Sequence, residues 1–336
     1  MQTLADLTTL RLGGPAGRLV DAPDAETVVE EVRKADGAGE PVLLLGGGSN
    51  LVVADAGFAG TVVRVTSAGM VTERRPDGSV LLTVEAGENW DDVVAATVAD
   101  GLGGLECLSG IPGRTGATPV QNVGAYGVEV AALLVSVDLY DRGTGQIRTV
   151  QAAELGLGYR TSVLKGTDAA VVLRVRFALP GGPASMPIAY AELARTLGVD
   201  PGTTVPAEVA REAVLELRRG KGMVLAAEDH DTWSAGSFFT NPIVDAAPEP
   251  DMPRWPAGDR VKLPAAWLIQ HSGFAPGHPG PGGRVALSTR HVLALTNRGD
   301  GRTEDLLALA REVRSGVLDR FGIALHPEPV LVGCSL

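Results

Sequence analysis

Residues Gly101–Gly127 read GLGGLECLSGIPGRTGATPVQNVGAYG, with eight glycines, two charged side chains (Glu106 and Arg114) and neither the period of a strand nor that of a helix. A stretch this long without patterning inside a folded chain is normally either functional or disordered. Its low charge, together with Ile111, Pro112 and Val123, argues against disorder. The segment is therefore expected to pack, its glycines letting main chain come close to a neighbour. Gln121, Asn122 and a series of main-chain N–H groups suit a planar heterocycle and its pyrophosphate. The structural alternative is a glycine-rich strand pair buried in a sheet. Glycine is abundant throughout, with 44 in 336 residues and no collagen period, so tight loops are expected elsewhere too.

The rest of the composition mainly excludes. Forty acidic against 29 basic residues leave a net charge of −11, which repels a phosphate backbone, so nucleic acid is not an expected partner. Cys107 and Cys334 stand alone, in no CxxC or Cys/His arrangement, which indicates neither a disulfide framework nor zinc and fits a reducing cytoplasm. The five histidines, at 230, 271, 278, 291 and 326, have no metal-ligand spacing, and no metal is expected. His271 and His278 read as a mobile surface pair. The start, Met1 to Asp6, lacks a basic n-region and an apolar h-region, and no apolar run approaches the roughly 18 residues of a membrane span. Neither export nor a membrane location is expected.

Short apolar runs at Pro41–Leu45, Thr61–Val65, Val80–Val84, Leu133–Tyr140 and Ala170–Phe177 read as strands. Helical patterns cover Ala25–Ala35 and Trp90–Ala99, the latter with Asn89 as N-cap and Gly101 as its stop. Two more helices are expected: Val205–Arg219, burying Val209, Ala213 and Leu217, and Thr303–Phe321, capped by Thr303 and ended by Gly322. The mixture is α/β or α+β. Pro248–Pro256 and Ala275–Gly283 read as exposed loops. A boundary falls near the helix that begins at Val205.

Four shorter segments carry chemistry. LLLGGGSNLVV, residues 43 to 53, runs a strand into three glycines and on into a second apolar run. It lacks the helix that a dinucleotide fingerprint needs to receive a pyrophosphate, but consecutive glycines can form a main-chain nest for an anion, with Ser49 and Asn50 adding donors. A hairpin turn is the plain alternative. Gly158 to Lys165 places Arg160 where it could clamp a carboxylate with two hydrogen bonds, or sit at a solvated strand end. Ser234–Pro242 sets Ser237 beside two phenylalanines without the GxSxG pattern of a hydrolase elbow. His326–Val330 holds Glu328 between two prolines, a rigid setting for a fixed acid or a surface turn.

Taken together, Thr9-Leu10-Arg11-Leu12-Gly13-Gly14, LLLGGGSNLVV, Ala86-Gly87-Glu88-Asn89-Trp90, GIPGRTGATPVQNVGAYGVEV, Gly158-Tyr159-Arg160 through Lys165, Ala235–Pro242, Ala265-Ala266-Trp267-Leu268-Ile269 and Pro327–Val330 resemble, in register and over nearly the whole chain, the UDP-N-acetylenolpyruvoylglucosamine reductase family. The resemblance implies an α+β chain: a two-subdomain FAD-binding fold of the vanillyl-alcohol oxidase type, over 1–68 and 69–204, a substrate-binding domain over 205–323, and a tail, 324–336, near the site. It implies noncovalent FAD, cradled by Gly46, Gly47, Gly48, Ser49, Asn50, Leu51, Ile111, Pro112, Gly116, Ala117, Gln121, Asn122, Gly124 and Gly127. It further implies NADPH as reductant and a nucleotide-sugar substrate whose enolpyruvyl group is reduced in peptidoglycan precursor synthesis, by a cytoplasmic monomer. On the same basis Arg160 and Glu328 stabilise developing negative charge and Ser237 delivers a proton, while Tyr126, Tyr190, Lys221 and Asn241 contact the substrate. The segment around Tyr190 matches the longer of the family's two variants. The family's usual Leu-Pro-Asp-Pro after the lysine is replaced by Gly222-Met223-Val224-Leu225, which leaves Arg218 or Arg219 as alternatives to Lys221. Two other readings stay open: a sugar or lactone oxidase of the same flavin fold, and a nucleotide-sugar-binding module without catalysis.

Overall fold

The computed structural model describes residues 3–336; Met1 and Gln2, with the part of the amino-terminal reading that rests on them, lie outside the described residues. The chain is α+β. Its contacts divide it into two units, neither continuous in sequence: 17–47 with 59–220, and 1–16 with 48–58 and 221–336.

The first unit, 17–47 with 59–220, is built on a five-stranded antiparallel sheet ordered Gln146–Gln151, Leu134–Asp141, Ala170–Leu179, Val80–Glu85, Met70–Arg74. Burial alternates strictly along Val80–Glu85, where a slip of one residue would turn every side chain to the wrong face. Val80, Leu82 and Val84 are buried and stand opposite Leu179, Phe177 and Val175. That face is covered by the helix Trp90–Ala99, whose Trp90 ring lies 5.7 Å from Phe177. Asn89 caps this helix as the sequence indicates, accepting from the N–H groups of Asp91 and Asp92, while Asp100 rather than Gly101 is its C-cap. Beside it runs Ala207–Gly220, in the same core. Here the expected face is shifted: Val209 is 48% exposed, and Ala210, Ala213, Val214 and Leu217 pack inward. The inward set keeps the three-and-four spacing of a helix face, on which Val209 has no place.

The same unit holds a three-stranded sheet, Ala16–Ala22, Phe58–Val65, Val42–Leu45, with the helix Ala25–Ala38 laid over it through Val28, Val29 and Val32. Val42–Leu45 pairs in parallel with Thr61–Arg64, so the strand before the glycine run does not turn back into a hairpin.

The second unit, 1–16 with 48–58 and 221–336, centres on the helix Thr303–Phe321, which buries Leu306, Leu309, Ala310, Val313 and Val317. Its core also takes Leu10, Leu12, Val52, Phe238, Phe239 and Ile269. Thr303 is the first helical residue, not the cap; Asp55 caps the helix, its carboxylate accepting from the N–H groups of Thr303 (2.9 Å) and Glu304 (3.2 Å). A cap contributed by a residue so distant in sequence leaves no local signature. Leu51–Val53 pairs in parallel with Val330–Val332. The segment read as the loop Pro248–Pro256 contributes the edge strand Trp255–Ala257 to a small sheet and buries Met252. Of the two histidines read as a surface pair, His271 stacks on Trp267 at 3.6 Å, and His278 lies 2.9 Å from Glu312.

Candidate functional site

The expected site residues fall in both units, and within each unit they converge. In the first unit, the two glycine-rich segments meet. A Cβ on Gly47 would stand 2.7 Å from Gly113 Cα, and one on Gly46 3.3 Å from the Arg114 side chain. Gly116 is pressed against Ala86, and the N–H groups of Thr115 and Gly116 donate to the carbonyls of Glu88 and Ala86. The turn after Val42–Leu45 and the turns around Ala86–Glu88 and Ile111–Ala117 therefore stack main chain on main chain. This is a side-chain-poor setting of the kind in which main-chain groups recognise a flavin ring system and a pyrophosphate, and the residues present fit FAD in that respect. Ile111, Pro112 and Gln121 are half-buried and Ala117 is exposed. The Gly101–Gly127 stretch is neither a strand pair nor disordered. Leu102–Gly110 is buried, short 3₁₀ turns lie at Glu106–Leu108 and Thr115–Ala117, and a hairpin at Gly124–Ala125 and Val128–Glu129 closes it.

That hairpin and the turn holding Arg160 store backbone strain. The non-glycine residues with left-handed backbones are, among the described residues, Arg11, Asn122, Tyr126 and Arg160, with φ of 55°, 47°, 49° and 52°. Such conformations disfavour side chains and persist where the surroundings over-determine them, commonly at functional sites. Tyr126 and Gly127 form the two-residue loop of the hairpin, both with positive φ, where asparagine or glycine would be the ordinary first residue. The Tyr126 ring meets Tyr190 edge-on at 5.4 Å, and burial pushes its hydroxyl up to about 12. Tyr190, 43% exposed, stands at the N-terminus of the helix Ala191–Leu197.

Arg160 donates from Nη2 to the Gly124 carbonyl (2.6 Å) and from Nη1 to that of Asn122 (3.4 Å), while Lys165 Nζ donates to the carbonyl of Arg160 itself (2.8 Å). The Asn122 side chain is buried and fixed: Nδ2 donates to Glu129 (2.8 Å) and the Gly158 carbonyl (3.0 Å), and Oδ1 accepts from Ala131 N–H (3.1 Å). Asn122, Gly124, Tyr126, Gly127 and Arg160 thus make one cluster. Arg218 is half-buried in the same unit, its pKa lowered by desolvation of the guanidinium against the opposing pull of Tyr126 and Asp91.

In the second unit the carboxyl half of the glycine run meets the tail. Gly48 has φ 61°, and a Cβ there would lie 2.0 Å from the Leu7 carbonyl oxygen. Ser49 and Asn50 lead into Leu51, at the start of the strand paired with Val330–Val332; Val330 N–H donates to the Asn50 carbonyl (2.9 Å). Glu328, half-buried, is tied to the Ser237 segment: its N–H donates to the Phe238 carbonyl (2.9 Å), and Thr240 N–H donates to the His326 carbonyl (3.1 Å). Ser237 Oγ lies 3.4 Å from His291 Nε2. Asn241 Oδ1 accepts from Ala265 N–H (2.9 Å) at the head of the helix Ala265–His271, and Lys221 is half-buried just before Gly222.

His291, Asp231 and Glu129 were not singled out by the sequence. His291 stands in no motif, and Glu129, although within GIPGRTGATPVQNVGAYGVEV, carries no mark of its own. Asp231 is buried and accepts from Ser288 Oγ (2.9 Å), Thr289 N–H (3.0 Å) and Arg290 Nε (3.0 Å). Burial alone would raise its carboxyl, but these hydrogen bonds hold it down at about 2.

This architecture and its glycine-built cradle are those of a flavin-binding α+β protein, and residues 17–151 match the family model described as FAD binding domain. Residues 228–332 match the C-terminal domain of UDP-N-acetylenolpyruvoylglucosamine reductase. Proteins of that name are 65% identical in Saccharopolyspora erythraea, over 99% of this chain and 95% of the relative, and 59% identical in Nocardia farcinica, over 99% and 89%. The crystal structure of the Thermus caldophilus reductase superposes with a TM-score of 0.68 at 27% identity, covering 98% of this chain and 97% of that one. The chain belongs to the UDP-N-acetylenolpyruvoylglucosamine reductase family.

Proposed function

We propose that this protein reduces the enolpyruvyl group of UDP-N-acetylglucosamine-enolpyruvate to give UDP-N-acetylmuramate, a precursor of peptidoglycan, working as a monomer in the cytoplasm. The observation that carries the reading is the Arg160 cluster: three left-handed residues, Asn122, Tyr126 and Arg160, gathered around one loop, with Arg160 hydrogen-bonded to its main-chain carbonyls. The chemistry that bound FAD supplies is hydride relay, from NADPH to the terminal carbon of the enolpyruvyl group. Gly46, Gly47, Gly48, Ser49, Asn50, Leu51, Ile111, Pro112, Gly116, Ala117, Gln121, Asn122, Gly124 and Gly127 would hold it.

The chain's own side chains manage the charge that results. Reduction at the terminal carbon leaves carbanion character beside the substrate carboxylate, and a fixed guanidinium stabilises charge there without having to reorganise. Arg160 provides that group, already oriented by two carbonyls. Glu328 acts with it. Ser237 Oγ–H protonates the carbanionic carbon, which a weak acid can do because the carbanion is a strong base. Tyr126, Tyr190, Lys221 and Asn241 bind the substrate, Tyr190 closing over it and contacting its diphosphate with Asn241 and Lys221; Arg218 and Arg219 are the alternatives to Lys221.

The test is spectroscopic. The purified protein should be yellow, bleach on adding NADPH without air, and regain its colour only when the enolpyruvyl sugar is added. A bound flavin indifferent to that sugar would overturn the proposed substrate, and a protein that takes up no FAD would overturn the whole reading.

A further inference from the structure

We infer that His291 returns the proton to Ser237, so that the serine is the outer member of a two-residue relay. This rests on the reading of Ser237 as proton donor. The two side chains face each other at 3.4 Å, Oγ to Nε2, the long end of hydrogen bonding. Catalytic hydrogen bonds in enzymes without substrate are commonly this long and tighten in the complex.

Their facing is built, not incidental. Phe238 N–H, one residue after Ser237, donates to the Leu293 carbonyl (2.7 Å), two residues after His291, which ties the two segments together. The turn that presents His291 is held at its base: Ser288 Oγ accepts from the N–H groups of Arg290 (3.1 Å) and His291 (3.2 Å) and donates to the buried Asp231 carboxylate (2.9 Å). Thr289 donates to the same carboxylate through both its N–H (3.0 Å) and its hydroxyl (3.0 Å). A charged anchor with this many donors is a costly way to support an ordinary surface turn and a suitable way to fix an imidazole.

The chemistry requires such a partner. As the new C–H bond forms with the carbanion's electron pair, the Ser237 Oγ–H bond breaks. The oxygen left behind is far too basic to persist. The imidazolium Nε2–H bond of His291 then breaks as Oγ–H forms again, leaving neutral imidazole that regains its proton from solvent. Imidazole is the side chain whose ordinary pKa lies nearest neutrality, which suits a group that must give and regain a proton in every cycle. His291 touches no reacting atom; it acts through Ser237.

The test separates the half-reactions of the holoenzyme. In His291→Gln, flavin reduction by NADPH should stay within about twofold of wild type, while reoxidation by the enolpyruvyl sugar slows by about 10². Free imidazole should restore part of that rate to His291→Ala, which a structural defect would not allow. A second readout needs no turnover: in ¹⁵N spectra of the holoenzyme without substrate, the His291 Nε2 signal should move in Ser237→Ala while those of the other histidines stay. Wild-type reoxidation in His291→Gln alongside slow reoxidation in Ser237→Ala would overturn the relay and leave the serine's role intact. Wild-type reoxidation in both would remove the serine's role, and the relay with it. An unmoved His291 signal in Ser237→Ala would also overturn the relay.

Discussion

Arg160 is held in a left-handed backbone with its guanidinium on two carbonyls of one loop, an arrangement lysine cannot reproduce because a single ammonium lacks the planar fork. Arg160→Lys is therefore expected to keep its thermal stability and NADPH-driven bleaching while reoxidation by the enolpyruvyl sugar falls by about 10², the scale of losing one preorganised charge-stabilising donor. Stopped-flow measurement of the two half-reactions checks this. Asp231 yields a prediction in pH. Its folded-state pKa, about 2, lies below the ordinary 3.8, so its contribution is full above pH 3.8 and is lost as the pH falls through 2. The shift corresponds to about 2 kcal/mol. Urea unfolding should find Asp231→Asn less stable by about that amount at pH 6, with the gap to wild type closing toward pH 2.

At the scale of elements, glycine has two separable effects. Gly47 faces the main chain of Gly113, which cannot move aside, whereas Gly37, inside the helix Ala25–Ala38, has open space within 4 Å of where a Cβ would stand. Gly47→Ala should cost about 1–3 kcal/mol by overpacking and weaken FAD retention. Gly37→Ala should stabilise by about 1 kcal/mol through helix propensity and leave the flavin in place. Thermal melts with flavin fluorescence distinguish the two. Much at this scale was legible in the sequence, since periodicity and caps are local: Trp90–Ala99 with its Asn89 cap, and the strands at 80 and 170, stand close to where the pattern places them. Features decided by distant partners were not legible. The Asp55 cap, the inward face of Ala207–Gly220 and the pairing of Leu51–Val53 with Val330–Val332 all depend on residues brought together only by folding. The candidate site divides in the same way: Arg160 and Ser237 stand in recognisable segments, while the contacts of Glu129 with Asn122 and of His291 with Ser237 are made only on folding.

Over the whole molecule, the chain passes between its two units after residues 16, 47, 58 and 220, so cutting it at one boundary does not release a complete unit. The piece 221–336 contains most of one core but leaves Val330–Val332 without the strand Leu51–Val53, the helix Thr303–Phe321 without its Asp55 cap, and the core without Leu10, Leu12 and Val52. A lost cap costs about 1 kcal/mol, and each deleted apolar side chain costs about 2–5 kcal/mol. Together these losses match or exceed the roughly 5–15 kcal/mol that holds an ordinary domain folded. The isolated 221–336 fragment should therefore show no cooperative thermal transition by circular dichroism and poor dispersion in amide spectra, whereas the full chain melts sharply. A sharp melt of the fragment alone would mean that the core around the helix Thr303–Phe321 suffices, and that the strand contributed by 51–53 serves the turn at Gly48 rather than the unit's stability.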